Sequence, residues 1–232
     1  METIASIRRN ERLTGAFFIA ATVSAIVGAK LYDPILQNAD FWSAAGKASS
    51  RIALGAFFEL TLAVANIGTG IMLYPLLKRY SESWGLGYAL FRLLEVVFIL
   101  IGVLGMLSIA ALSRDAQLLP GRELSALQAA ARTLKTIYTW AFILGPHFML
   151  GINTFIYSSI FYRRGLIPRK IAAVGVLGAV LIFAAAVLEL FGIISPFSGQ
   201  LLVLALPIAV YEMVLAGWLI AKGLNQPAYE AA

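Results

Sequence analysis

The stretch 88-YALFRLLEVVFIL-100 sets Arg92 and Glu95 inside an otherwise apolar run. Followed outward, the run extends from Trp84 to Leu112, longer than the about 20 residues a helix needs to cross a bilayer. The two charges are three residues apart and share one helix face. Helical side chains lean toward the N-terminus, so Glu95 leans toward Arg92 and an intrahelical pair is expected. The stretch is therefore one membrane span with a polar face, not an interrupted apolar helix.

The rest of the chain has the same character. Of its 232 residues, 60% are hydrophobic and only 13% charged, where a soluble domain carries about 25% charged residues. Too few charges remain to clothe a water-facing surface. Six apolar segments stand out, roughly Leu13–Tyr32, Ile52–Leu77, Trp84–Leu112, Thr136–Tyr162, Ile171–Ile194 and Gly199–Ala221. The expected fold is all-α: a bundle of six transmembrane helices, with residues 1–232 forming a single membrane domain. The connections are short except Asp33–Arg51 and Ser113–Lys135. Within the second, Gly121–Lys135 has a helical pattern and either extends the fourth span or lies along the interface. The N-terminus imitates a secretory signal, but its apolar run reaches Leu31, which favours an uncleaved first span.

Charge sets the expected orientation. With the N-terminus inside, one side collects Arg8, Arg9, Arg12, Lys78, Arg79, Arg163, Arg164, Arg169, Lys170 and Lys222. The other collects Lys47, Arg51, Arg114, Arg122, Arg132 and Lys135. Ten against six places both termini in the cytoplasm of a cell whose inner or plasma membrane holds the chain. Trp84, Trp140 and Trp218 near span ends, and Trp42 in the first outer connection, fit an interfacial belt. Small residues at four-residue spacing, Ala21-Ala25-Ala29 and Ser24-Gly28, are read as helix packing.

Composition also excludes chemistry. There is no cysteine and one histidine, His147. Disulfides, iron–sulfur clusters, cysteine nucleophiles, bis-histidine haem and three-histidine metal sites are out. No HExxH-like spacing supports a metal, no G-x-S-x-G surrounds the serines, and no glycine-rich phosphate loop occurs. No cofactor is expected. The net charge of +6 lies at span ends, which points to anionic membrane lipids as partners rather than nucleic acid.

What needs explaining is the polar content of the spans: Glu59, Arg92, Glu95, His147, Asn153, Glu189 and Glu212. An ionisable group at mid-membrane costs about 2.5–3.5 kcal/mol on insertion scales. Such residues should face the bundle interior or a wet cavity. Arg92 offers five donors, more than Glu95 alone satisfies, and Glu212 is the expected second partner. Arg92, Glu95, His147, Asn153 and Glu212 form the candidate ligand-binding or polar network. With both cations paired, two carboxylates are left over. They must be protonated, or meet water or a cation. Glu59 and Glu189, in the outer half, are expected to form a wet vestibule. Gly145-Pro146 should kink the fourth span just before His147, either as a plain bend or as part of a binding site.

Four stretches carry a family resemblance: RNERLTGAFFIAATVSAI (Arg9–Ile26), LFRLLEVVFILIGVLGMLSI (Leu90–Ile109), GINTFIYSSIFYRRGLIPRKIAAVGVLGA (Gly151–Ala179) and LPIAVYEMVLAGWLIAKGLN (Leu206–Asn225). With their R-L-x-E, R-x-G-L-I-P-R and E-x-x-L-x-x-W-L-x-x-K-G patterns, they resemble the bacterial multi-pass membrane proteins of domain-of-unknown-function family 4386. The resemblance implies six helices without an extra domain and places Arg92, Glu95 and Glu212 in recurring patterns. It implies no assigned activity.

Three functions compete on these residues. One is a small transporter, permease or ligand-responsive membrane protein taking a small molecule or lipid at the mid-membrane site. The second is a structural or partner-binding protein whose Arg–Glu network only fixes helix packing. The third is an enzyme acting on a lipid or isoprenoid, with a carboxylate or His147 as base; it is less favoured than a non-enzymatic role.

Overall fold

A computed structural model describes residues 4–38, 41, 42, 45, 48–115 and 121–225. Lys47, weighed in the charge balance above, lies outside them. The helices are α1 (Ile4–Leu36), α2 (Ser49–Tyr80), α3 (Glu82–Asp115), α4 (Gly121–Phe142), α5 (Leu150–Arg164), α6 (Arg169–Leu190) and α7 (Gly199–Ala221). A π-helical turn, Ile143–Met149, joins α4 to α5. Six helical stretches are long and apolar enough to cross a membrane, with α4, the π turn and α5 forming the fourth. The protein is an integral, multi-pass membrane protein.

The spans close into a ring. Each packs on its sequence neighbours, and α7 returns to pack on α1. The outer surface is apolar, as lipid contact requires: Phe57 is 63% exposed and Val64 65%. Inside, one buried cluster around Phe18, Leu77, Tyr88, Tyr157 and Leu219 fills the half near the termini. Another around Tyr32, Ile52, Met106 and Tyr138 fills the opposite half. Between them, α2 and α3 contribute polar residues at one level.

Small residues set the interhelical distances. A Cβ on Gly178 would lie 2.8 Å from the Ile208 backbone nitrogen, and one on Gly15 would lie 2.7 Å from the Ala216 carbonyl oxygen. The Ser24-Gly28 pair packs as expected: Ser24 is buried, and a Cβ on Gly28 would lie 3.2 Å from the Glu59 side chain.

One boundary falls short of expectation. The fifth span ends at Leu190, not Ile194, because Gly192 takes a left-handed φ of 69° and turns the chain toward α7. The segment Gly121–Lys135 extends the fourth span as continuous helix. Pro146 produces the π turn rather than a simple bend. Having no N–H, it cannot continue the α-helical ladder, and Leu150 N–H reaches back five residues to the Gly145 carbonyl.

Candidate functional site

The central site is built from two pairs of residues at three-residue spacing. On α3, Arg92 Nη1 donates to Glu95 Oε2 at 2.9 Å. On α2, Thr69 Oγ1 donates to the Asn66 carbonyl at 2.8 Å. The pairs join at both ends: Arg92 Nε donates to Thr69 Oγ1 at 3.0 Å, and Asn66 Nδ2 donates to Glu95 Oε1 at 2.9 Å. The result is a closed ring, Arg92–Thr69–Asn66–Glu95. From α5, Asn153 Nδ2 adds a third donor to Glu95, on Oε2 at 2.8 Å. All five residues are buried, none more than 3% exposed. Phe18 of α1 covers the guanidinium, its ring centre 5.8 Å from Cζ.

Arg92 does not contact Glu212. Among the described residues it forms an ion pair with Glu95 alone, and its second partner is Thr69. Glu212 sits on α7 in the seam with α1, partly exposed, and accepts one long hydrogen bond, from Thr22 Oγ1 at 3.5 Å. Between Arg92 and Glu212 stands a tyrosine cluster. Tyr88, Tyr157 and Tyr211 are buried, with ring centres 5.7 Å apart for Tyr88–Tyr157 and 6.0 Å for Tyr157–Tyr211. Ser158 Oγ donates to the Tyr211 hydroxyl at 3.1 Å, while the Tyr88 and Tyr157 hydroxyls are buried without a hydrogen-bond partner among the described residues.

The other predicted residues form separate centres. His147 lies in the π turn, with Nδ1 2.7 Å from Glu189 Oε2 on α6; it does not join Arg92. Glu59 accepts from the Tyr138 hydroxyl at 2.8 Å, with Tyr32 edge-on to Tyr138. The vestibule expected from Glu59 and Glu189 is not formed, because each carboxylate is buried against its own partner. Phe142 stands between them, stacked on Tyr138 at 6.3 Å and edge-on to His147 at 4.7 Å. One oxygen of each carboxylate, Glu59 Oε2 and Glu189 Oε1, is buried without a hydrogen-bond partner among the described residues. Among the described residues no three His, Asp or Glu side chains converge as metal ligands.

One groove bears on this chemistry. A groove of about 210 Å³ between α2 and α3, lined by Ile67, Gly70, Ile71, Tyr74, Ala89 and Leu93, reaches Arg92 from the lipid-facing side. Gly70 lets it do so, since a Cβ there would lie 3.7 Å from Arg92 Cγ. Thr22 and Glu212, facing each other in the α1–α7 seam, are partly exposed.

Sequence reasoning missed Asn66 and Thr69, whose three-residue spacing on α2 mirrors that of Arg92 and Glu95. It also missed Glu11. This buried carboxylate accepts from Arg8 Nη1 at 2.8 Å and from the Leu224 backbone N–H at 3.0 Å. Arg8 further donates to the Leu219 and Ile220 carbonyls at 2.8 and 2.9 Å, capping the last turn of α7.

A family model described as Domain of unknown function (DUF4386) matches residues 13–223, and the chain belongs to that family. No curated protein and no solved structure matches it.

Proposed function

We propose that this member of the family is a small membrane transporter in which Glu212 takes up and releases a proton, beside the fixed charge pair Arg92–Glu95. One observation carries the reading. Glu95 has three donors, and Glu59 and Glu189 each have a partner within 2.8 Å. Glu212 has one bond at 3.5 Å and is partly exposed. A weakly held carboxylate exchanges a proton without dismantling its surroundings; one gripped by three donors does not. The Tyr88 and Tyr157 hydroxyls, without a hydrogen-bond partner among the described residues, add hydrogen-bonding groups between Glu212 and Arg92. In this reading the chain is one six-helix unit in an inner or plasma membrane with both termini cytoplasmic, as its basic residues favour.

The test is proton flux into proteoliposomes holding a pH-sensitive dye. After an imposed pH step, vesicles with the wild-type chain should equilibrate faster than protein-free vesicles, and Glu212→Gln should remove the difference. Equal rates for wild type and Glu212→Gln, or for wild-type and protein-free vesicles, contradict the proposal.

A structural role is the second reading, and the closed ring favours it. Arg92, Thr69, Asn66, Glu95 and Asn153 bind one another across α2, α3 and α5, as a register-fixing network would. Under that reading, variants at Arg92 and Glu212 alter stability and leave flux at the protein-free level.

A further inference from the structure

At the end of the bundle near the termini, α2 turns into α3 beside the last turn of α5. Ser81 alone separates α2 from α3, and Gly85 makes the turn possible: a Cβ there would lie 2.8 Å from the Lys78 backbone nitrogen. Ser81 Oγ accepts from the Trp84 N–H at 3.3 Å and caps α3. The turn and α5 enclose a groove of about 150 Å³ lined by Tyr80, Ser81, Trp84, Ser159, Arg163 and Arg164.

Two of the lining residues, Ser159 and Arg163, hold polar capacity that the described residues do not use. Ser159 is only 7% exposed, yet its hydroxyl makes no hydrogen bond among the described residues. Arg163 has no ion pair or hydrogen bond among them either. The Arg164 guanidinium lies over the Tyr80 ring at 5.4 Å, which holds it at the groove. The N-terminus of α3, a 34-residue helix, adds its positive end. The neighbouring carboxylate, Glu82, is engaged by Lys78 at 3.6 Å. Trp84 is 39% exposed, and beyond it Leu90, Leu94 and Phe155 present an apolar surface to the bilayer.

We propose that this groove binds the headgroup of an anionic phospholipid. The phosphate meets Arg163, Arg164 and the Ser159 hydroxyl, and the glycerol and first acyl carbons lie against Trp84. Charge complementarity selects the occupant: two guanidiniums and an unused hydroxyl suit a phosphate oxyanion. The membrane-facing apolar surface beside them suits the chains attached to it. A second basic groove at the same end, lined by Arg8, Arg9, Arg12, Leu13 and Ala16, contains neither an aromatic ring nor a serine.

The test uses the full chain in vesicles of phosphatidylcholine with a minor fraction of phosphatidylglycerol. Bromine on the acyl chains of one lipid or the other quenches nearby tryptophan, and the difference between wild type and Trp84→Phe isolates the Trp84 signal. At about fivefold per arginine, binding beside Trp84 should favour phosphatidylglycerol by roughly 25-fold. Arg163→Gln/Arg164→Gln should remove the preference, while Arg9→Gln/Arg12→Gln should leave it intact. The proposal is overturned if Trp84 shows no preference, if the preference survives in Arg163→Gln/Arg164→Gln, or if Arg9→Gln/Arg12→Gln removes it equally. Displacement of the lipid by millimolar inorganic phosphate would also overturn it, by marking a site for free phosphate.

Discussion

Asn153 of α5 donates to the same Glu95 oxygen that receives Arg92, at 2.8 Å against 2.9 Å. The Asn153 contact ties a third helix to the ring made by α2 and α3. Glu95 is thus the point where three spans are joined, and its charge is fully engaged by protein donors. That leaves Arg92 and Glu95 a fixed feature of the bundle and shifts attention to the carboxylate that is not held.

Removing Glu95 should cost more than removing the whole pair. Glu95→Leu leaves a buried guanidinium without its anion and should destabilise the protein by about 3–5 kcal/mol. Arg92→Met/Glu95→Leu should recover most of that loss, because an apolar pair leaves no buried charge behind. Equilibrium unfolding in mixed micelles, run as a double-mutant cycle, measures the difference. Additive losses at the two positions would contradict the pairing.

The two tyrosines beside Glu59 should behave differently. Tyr138→Phe removes the bond to a buried carboxylate and should cost about 1–3 kcal/mol. Tyr32→Phe removes a hydroxyl without a hydrogen-bond partner among the described residues and should be neutral or slightly stabilising. Unfolding of both variants under one condition decides it; equal losses would mean that Glu59 is not specifically held by Tyr138.

Arg8 should protect the end of α7. With Arg8→Ala, the Leu219 and Ile220 carbonyls lose their cap, and backbone amides from Trp218 to Leu224 should exchange hydrogen faster. Exchange near Glu212 and in α3 should stay unchanged. Uniformly faster exchange throughout would show a global rather than a local effect.

The six spans were legible in the sequence because bilayer length and apolar runs are local properties. The Arg92–Glu95 pair was legible for the same reason, being three residues apart on one helix. Asn153 bonds Glu95, and the structure adds Asn66 and Thr69 through a helix pairing that spacing cannot reveal. Glu212 was expected to touch Arg92 because depth along each span was the only guide. Depth says nothing about azimuth, and α7 turns Glu212 toward Thr22 of α1. His147 went to Glu189 for a related reason: the π turn changes the register of every residue after it. The four family-like stretches do meet. Leu224 bonds Glu11, Asn225 N–H donates to the Leu166 carbonyl at 2.8 Å, and Asn153 bonds Glu95.

The central claim is a division of labour, with Arg92–Glu95 fixed and Glu212 exchanging a proton. Infrared difference spectroscopy of the chain in liposomes tests it most directly, by following the carboxylic-acid carbonyl band as pH is varied. The account predicts a pH-dependent band in wild type that is absent in Glu212→Gln and retained in Glu59→Gln and Glu189→Gln. A band that persists in Glu212→Gln, or no titrating band in wild type, would contradict it.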